Sequence, residues 1–391
     1  MNKAFYPLLI AQFLSVFADN MILFTVIAMV LKLEHAPSWY VPALQSLFLV
    51  AFVLLAPWVG GFADKYPKPR VLLAGNLIKA IGGGLLFLQV EPLIAYCLVG
   101  VGAAIYSPAK YGILPELAGH QQLVKVNSWI ESSTILAILT GMSVGASLAD
   151  YSISVALLTT IGLFLLSALI TLFLPIKAPK ILPAGWKIVL FYHEICSFFA
   201  EPRPRFAVLG GSLFWAAAAS VRVIIIAWAP LVLLTKDTSD IANLTLFLAL
   251  GIVVGAAVVP VLIPLEHLRR ARYPAYMMGL LIIALGFTNT EWSARAVLFC
   301  MGAAGGMFIV PINAALQELG QESIGSGGAV AMQNFFQNVA MLLSVGLYTL
   351  AAAQHIDPVT ALWGLGVLLI LATLLLMWRL PESVTQKITP K

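Results

Sequence analysis

The chain has 391 residues, of which 61% are hydrophobic and only 10% charged, and its mean hydropathy is +0.97. A soluble domain carries roughly 45–50% apolar and about 25% charged residues, so a water-soluble globular fold is excluded and a multi-pass membrane protein is expected. The formal net charge of +5 sorts by loop instead of forming a basic patch, and so does not point to nucleic acid.

Apolar stretches of about 20 to 30 residues cross roughly 30 Å of hydrocarbon, and about twelve recur along the chain. They cover 4–33, 40–63, 70–90, 92–115, 123–149, 153–175, 206–235, 241–264, 273–290, 293–316, 323–353 and 358–380. The first is too long for a signal-peptide core and is expected to stay as a span. The three cysteines, Cys97, Cys196 and Cys300, are dispersed and odd in number, which argues against a disulfide framework or a metal cluster. No cofactor is expected.

The cations sort between alternate loops. With the N-terminus inside, one side receives Lys3, Lys65, Lys68, Arg70, Lys125, Lys177, Lys180, Lys187, Arg203, Arg205, Arg269, Arg270, Arg272, Arg379, Lys387 and Lys391. The other side receives Lys32, Lys236 and Arg295. The positive-inside rule then puts both termini in the cytoplasm and supports an even number of spans.

The first span carries Asp19 near its middle, after Leu14, Val16 and Phe17 and before Met21, Ile22, Leu23 and Phe24. An ionisable side chain at that depth is costly and marks a functional site by default. Lys79, Lys110, Glu131 and Arg222 complete a short set of such residues. At about 1.5 Å of rise per residue from the cytoplasmic end, Asp19 lies roughly 22 Å in, Arg222 roughly 24 Å, and Gln337, with Asn334 and Asn338, roughly 21 Å. Lys79 and Glu131 lie roughly 12–14 Å in, and Lys110 nearer the cytoplasmic face. Lys79 is expected either to pair with Glu131 or to touch the cargo. Lys110 either snorkels to the surface or serves the site.

The loop after the second span reads Gly60-Gly61-Phe62-Ala63-Asp64-Lys65-Tyr66-Pro67-Lys68-Pro69-Arg70. It resembles the major facilitator motif G-x-x-x-D-[RK]-x-x-[RK]-x-[RK] in the loop where that family carries it. Gly60 would allow close helix approach. Asp64 would face the positive N-terminus of the eleventh span near Ser323 to Gly328, and release of that contact would accompany opening to the cytoplasm. Lys65, Lys68 and Arg70 supply the basic positions. The second-half counterpart, Glu266-His267-Leu268-Arg269-Arg270-Ala271-Arg272, keeps the cations and loses the aspartate.

A proline-bearing polar stretch from Ile176 to Arg205, with Pro179, Pro183, Pro202 and Pro204, divides the spans six and six. The expected organisation is a six-helix bundle over 1–175, a cytoplasmic linker over 176–205 and a second six-helix bundle over 206–391. Within the linker, Trp186 to Phe199 is aromatic-rich, which suits a segment on the membrane surface as well as a plain connection. The halves echo each other. Ser107-Pro108-Ala109-Lys110-Tyr111 is followed by Glu116-Leu117, and Val310-Pro311-Ile312-Asn313-Ala314 by Glu318-Leu319. Paired six-helix repeats are the build of a major facilitator.

In the major facilitator fold the first, fourth, seventh and tenth spans line the cavity, and these carry Asp19, Lys110, Arg222 and Asn313. Arg222 suits bidentate recognition of phosphate, and Asp19 suits an ammonium group. Together they fit a zwitterion such as phosphoethanolamine. The structural alternative is an Asp19–Arg222 ion pair that only joins the halves. Phe13, Phe17, Phe24, Tyr106, Phe214, Trp215, Trp228 and Phe308 leave the rest of the cavity-facing surface greasy, which suits an amphiphile better than a sugar; each one taken singly also reads as packing.

A more specific resemblance runs through nearly the whole chain. Ala11-Gln12-Phe13-Leu14-Ser15 through Asp19-Asn20, Gly100-Val101-Gly102-Ala103-Ala104 through Ser107-Pro108-Ala109-Lys110-Tyr111-Gly112-Ile113-Leu114, Ser212-Leu213-Phe214-Trp215, Gly251-Ile252-Val253-Val254-Gly255-Ala256 and Gln333-Asn334 resemble the bacterial lysophospholipid transporters. The resemblance implies an all-α major facilitator of the Gram-negative inner membrane, monomeric in the bilayer. It would flip lysophosphatidylethanolamine and related lysolipids to the cytoplasmic leaflet, where an acyltransferase/acyl-carrier-protein synthetase restores the missing chain. It also implies a headgroup site with two acid–asparagine pairs. The first matches Asp19-Asn20. The second falls on Gln337-Asn338, where an acid is expected, so this chain departs in charge, and a better tolerance of anionic headgroups is the expectation. Lys110, Tyr111, Arg222 and Asn334 complete the expected substrate contacts.

The competing reading is an ion-coupled exporter of amphipathic drugs or metabolites, which efflux in place of uptake would reveal. An enzyme is not expected. None of His35, His120, His193, His267 or His355 has an aspartate five positions on, as a His-x4-Asp acyltransferase would, and no phosphate-binding P-loop occurs.

Overall fold

The computed structural model describes residues 5–31, 40–176, 187–234 and 238–378. Lys3, Lys32, Lys177, Lys180, Lys236, Arg379, Lys387 and Lys391, together with Pro179, Pro183 and Trp186 of the linker, lie outside the described residues. Among the described residues there is no strand. Inside hydrocarbon each backbone polar group must find its partner within its own segment, and a helix does this.

The first half of the sequence forms α1 (Phe5–Leu31), α2 (Tyr40–Lys65), α3 (Lys68–Phe87), α4 (Pro92–Gly112), the short α5 (Leu114–Ala118), α6 (Leu123–Tyr151) and α7 (Ile153–Thr171). The linker contributes α8 (Lys187–Ala200). The second half forms α9 (Pro202–Val232), α10 (Thr238–Leu262), α11 (Arg272–Leu285), α12 (Glu291–Glu322), α13 (Ser326–Ala353) and α14 (Pro358–Met377). Helix starts follow local chemistry. Pro92 and Pro358 open α4 and α14 at positions where no N–H is needed. Asp357 caps α14 by accepting from the N–H groups of Val359 and Thr360.

Eleven of these helices are long and apolar enough to cross a membrane. The ninth expected stretch, 273–290, is a helix of only 14 residues, α11. A kink at His267 and the 3₁₀ segment Leu265–Ala271 take up the residues before it, and a turn follows Leu285.

The chain gathers into two compact units that do not coincide with its sequence halves. The first comprises residues 1–122, 133–195 and 317–335; the second comprises 123–132, 196–316 and 336–391. In the first, α3 packs on α4 and α7, α2 on α4 and α1 on α7. Its apolar centre joins Ala18, Ile22 and Val26 of α1 to Tyr96 and Val99 of α4 and Phe164 of α7. In the second, α14 packs on α9 and α11. Outward side chains such as Leu158 and Leu375 remain 54% and 72% exposed, the surface a lipid-facing helix presents.

Lipid is as apolar as leucine, so the hydrophobic effect does not hold membrane helices together, and close packing at small residues does. In the second unit, α10 and α12 meet through Gly251 and Gly255 on one side and Gly302 and Gly306 on the other, each pair spaced by four. A Cβ on Gly255 would run into the Ala303 carbonyl, and one on Gly302 into the Leu248 carbonyl.

Gly255→Leu is therefore expected to cost at least about 1–3 kcal/mol through overpacking, read as a lower melting temperature of the purified protein. Gly162→Ala in α7, where a Cβ meets nothing within 4 Å, is the comparison and is expected to melt no lower than wild type.

Candidate functional site

The first unit holds an ion pair whose lysine is fully buried and whose carboxylate is largely so. Asp19 of α1 accepts a hydrogen bond from the Lys79 ammonium of α3 at 2.7 Å, and the lysine side chain is 1% exposed. Spacing brings the polar groups together. Ala11, Ser15 and Asp19 fall four apart on one stripe of α1, and Asn76 and Lys79 fall three apart on α3. Lys79 also donates to the Ser15 hydroxyl at 3.0 Å and lies 4.8 Å from the Tyr106 ring centre. Ser15 donates to the Asn76 carbonyl oxygen at 2.8 Å, the Asn76 amide to Ser167 at 2.8 Å, and Ser167 to the Ala11 carbonyl at 2.6 Å. The chain of bonds thus starts from the ion pair and ends on backbone. It leaves two buried atoms without a hydrogen-bond partner, Asp19 Oδ1 and the Tyr106 hydroxyl.

The expected pairing of Lys79 with Glu131 is corrected by this geometry. Glu131 of α6 instead accepts from the Asn313 amide of α12 at 2.9 Å, inside the second unit. The difference comes from helix rotation. Lys79 faces α1 and α7, where the carboxylate and hydroxyls are, and depth counted along single helices carries no information about facing.

The remaining expected site residues divide between the units. Asp19, Asn20, Lys110, Tyr111 and Asn334 belong to the first; Arg222, Gln337 and Asn338 belong to the second. Asn20 turns back on its own helix and donates to the Val16 carbonyl at 2.9 Å. Lys110 is buried and lies 4.2 Å from the Tyr111 ring centre, so it does not snorkel outward. Asn334 donates to Ser107 of α4 at 2.9 Å, one turn before Lys110. Gln337 and Asn338 are buried on α13. Arg222 is exposed, well inside α9, and among the described residues it forms no ion pair or hydrogen bond. Of the aromatic set, Trp228 and Phe308 are fully buried, as packing residues are.

Asp64 ends α2 against the N-terminus of α13. Its carboxylate accepts from the backbone N–H groups of Gly327 at 3.0 Å and Gly328 at 2.8 Å, where orphan donors and the helix dipole favour an anion. Gly60 permits the approach, since a Cβ there would lie 2.8 Å from the Gly328 Cα. Gly325 is in the left-handed region with φ +100° and its Cβ would strike the Asp64 carboxylate, so glycine is required there twice over. Lys68 pairs with Glu116 at 2.6 Å and lies 3.6 Å from Asp64, while Lys65 and Arg70 are exposed. Ser326 adds a bond to the Gly112 carbonyl at 2.9 Å.

Sequence reasoning did not anticipate the Asp19–Lys79 pair or the Ser15–Asn76–Ser167 relay. The available signal was the four-residue spacing of Ser15 and Asp19 and the three-residue spacing of Asn76 and Lys79 within otherwise apolar helices.

An all-helical, multi-pass chain with a charged pair and amides held at membrane depth has the build of a carrier for a polar or charged cargo. Residues 8–344 match the Major Facilitator Superfamily. The lysophospholipid transporter LplT of Photorhabdus laumondii is 39% identical over 382 residues, covering 97% of this chain and 96% of that protein. LplT of Klebsiella pneumoniae is 40% identical over 373 residues, 93% of each chain. Among solved structures, the Escherichia coli fucose:proton symporter FucP superposes with a TM-score of 0.77 at 14% identity over 97% of this chain and 98% of that one. A bacterial homologue of the iron transporter ferroportin gives 0.69 at 16% identity over 96% and 100%. These last two share the fold. The chain belongs to the major facilitator superfamily, in the branch that holds the bacterial lysophospholipid transporters.

Two outcomes are expected. Lys79→Met leaves a buried carboxylate alone and is expected to destabilise by about 3–5 kcal/mol, and Asp19→Asn in the same chain to recover more than half of that in a double-mutant cycle; additive effects would contradict the pairing. Asp64→Ala removes the acceptor from Gly327 and Gly328, so hydrogen exchange at these two amides is expected to accelerate at least tenfold, and unchanged protection would contradict the cap.

Proposed function

We propose that the protein is a lysophospholipid transporter that carries lysophosphatidylethanolamine and related lysolipids across the bacterial inner membrane by alternating access. The observation that carries the reading most directly is Asp19 Oδ1. It is a buried carboxylate oxygen with no partner, while its twin is held by Lys79. Leaving such an acceptor unsatisfied costs about 1–3 kcal/mol, and an ammonium donor from a phosphoethanolamine headgroup would relieve it. The near full-length relatives named lysophospholipid transporters support the same cargo.

In this reading Asp19 takes the ammonium group and Arg222 the phosphate, for which a guanidinium offers two parallel donors. Asn20, Lys110, Tyr111, Asn334, Gln337 and Asn338 contribute further polar contacts during the cycle. The Gly60–Asp64–Lys65–Lys68–Arg70 segment acts as a conformational latch, since parting Asp64 from the α13 N-terminus frees that helix to move. Movement is toward the cytoplasmic leaflet, with both termini cytoplasmic and the chain acting as a monomer. An acyltransferase/acyl-carrier-protein synthetase would consume the delivered lysolipid. The protein itself carries out no covalent chemistry.

The reading is tested by inward movement of labelled lysophosphatidylethanolamine in proteoliposomes. Wild type is expected to transport, and Asp19→Asn and Arg222→Ala each to fall at least tenfold while remaining folded. Gln337→Glu is expected to raise the ratio of zwitterionic to anionic lysolipid moved. Folded wild-type protein that moves no lysolipid under imposed ion gradients, yet expels amphipathic drugs, would replace the reading with an exporter.

A further inference from the structure

The turn between α10 and α11 keeps the cations of the first-half loop and lacks its aspartate. Its cations are all arginine. Arg269 and Arg270 lie in the 3₁₀ segment and Arg272 opens α11. The start of α9 adds Arg203 and Arg205. The Arg203 guanidinium donates to the Leu265 carbonyl at 3.0 Å and so fastens the two stretches together, both within the second unit. Two carboxylates, Glu201 and Glu266, stand among these five guanidiniums, so the patch keeps a positive excess. The side chains of Arg205 and Arg270 form no ion pair or hydrogen bond among the described residues.

The patch stands at the end of two outward apolar surfaces. Val258, Val261 and Leu262 close α10 with exposed side chains, Val261 at 85%. On α11, Tyr273, Met277 and Leu280 fall at i, i+4 and i+7 and are all exposed. Tyr273 is the arginine end of that stripe. Its hydroxyl accepts from Arg272 at 2.9 Å, and its ring centre lies 4.8 Å from the guanidinium carbon. A tyrosine that ends an apolar stripe and meets an arginine there marks headgroup depth. Guanidiniums and hydrocarbon-facing side chains therefore adjoin in the order in which a phospholipid presents its phosphate and its acyl chains. An acidic protein would match the charge and leave the apolar borders unused. Arginine also suits a phosphate better than lysine does, since it offers two parallel donors and is less strongly hydrated. In the first-half loop, by contrast, Lys68 is taken up by Glu116 and lies 3.6 Å from Asp64.

We infer that the start of α9 and the α10–α11 turn form a binding site for the phosphate of an anionic two-chain phospholipid of the cytoplasmic leaflet, whose chains lie along α10 and α11. The inference needs only the membrane-spanning build and the positive-inside orientation, so it stands or falls independently of the lysophospholipid reading. Each arginine near an anionic headgroup is worth about fivefold in binding, and a zwitterionic lipid, whose ammonium the patch repels, gains less.

Photo-crosslinking tests it on the full-length protein in phosphatidylcholine proteoliposomes. The probe is a trace of phosphatidylglycerol with a diazirine on its glycerol headgroup, and labelled residues are mapped by peptide sequencing. The expected label falls on residues 203–205 and 265–273. Unlabelled phosphatidylglycerol should compete at least tenfold better than phosphatidylethanolamine. Arg205→Gln with Arg270→Gln should weaken the label at least tenfold. Arg270→Gln alone, expected to weaken it about fivefold, serves if the pair does not fold. Lys65→Gln with Lys125→Gln removes as much exposed positive charge elsewhere and should leave the label unchanged. Equal loss in that control, or equal competition by phosphatidylethanolamine, reduces the patch to general surface charge and overturns the site. Competition by soluble glycerol phosphate as strong as that by the lipid would give the arginines to a free phosphate. Polyglutamate binding that Arg205→Gln with Arg270→Gln abolishes, with no lipid label in wild type, would give them to an acidic protein. Either result overturns the lipid site.

Discussion

A charge held at membrane depth must find its counter-charge and its hydrogen bonds inside the protein, and the Asp19–Lys79 contact at 2.7 Å meets that constraint. The rest of the first unit is arranged around it. Ser15 and Asn76 take up the polar groups that the ion pair leaves, and Ser167 passes the relay to the Ala11 carbonyl. The Tyr106 and Phe164 rings lie 4.8 and 5.5 Å from the ammonium, offering their negative faces to it. The network is complete on the lysine side and incomplete on the carboxylate side. An acceptor kept open at that depth is what a carrier needs when its cargo brings an ammonium group.

The same demand for internal partners acts on the backbone. The first N–H groups of α13 have no partner in their own helix, and Asp64 supplies one from the far end of α2. Glycine at 60, 325 and 327 keeps the two segments close enough for this. The contact joins a segment early in the sequence to one late in it, within one compact unit. Glu131 and Asn313 form a comparable link in the other unit. Each depends on one side-chain carboxylate, so each can be made and released without unwinding a helix.

Much of this was legible in the sequence. Composition and the length of the apolar stretches gave the helices, because a span must be both apolar and about 20 residues long. The loop from Gly60 to Arg70 gave the Asp64 contact, because its spacing fixes a carboxylate at a helix end and the eleventh span begins with Ser326-Gly327-Gly328, which leaves room for it. The partner of Asp19 was not legible. Depth measured along α1 and α3 separately set Asp19 and Lys79 roughly 8–10 Å apart in level, while a four-carbon lysine stem and the real offset of the helix ends close that gap. Which way a helix faces is set by its packing on several others, and no single stretch records it. The shortness of α11 was hidden for a related reason: the apolar run continues past Leu285 into a turn, and hydropathy does not distinguish the two.

Asp19 balances Lys79 and, in the proposed function, also receives the headgroup, and a charge swap separates the two tasks. In Asp19→Lys with Lys79→Asp the ion pair is restored in reverse, while the open carboxylate oxygen leaves α1. Lysophosphatidylethanolamine uptake by this doubly substituted protein is the measurement to make. The expected result is a melting temperature well above that of either single substitution, with uptake still at least tenfold below wild type. Uptake returning to the wild-type rate would contradict it, and would reduce Asp19 to one half of a structural ion pair.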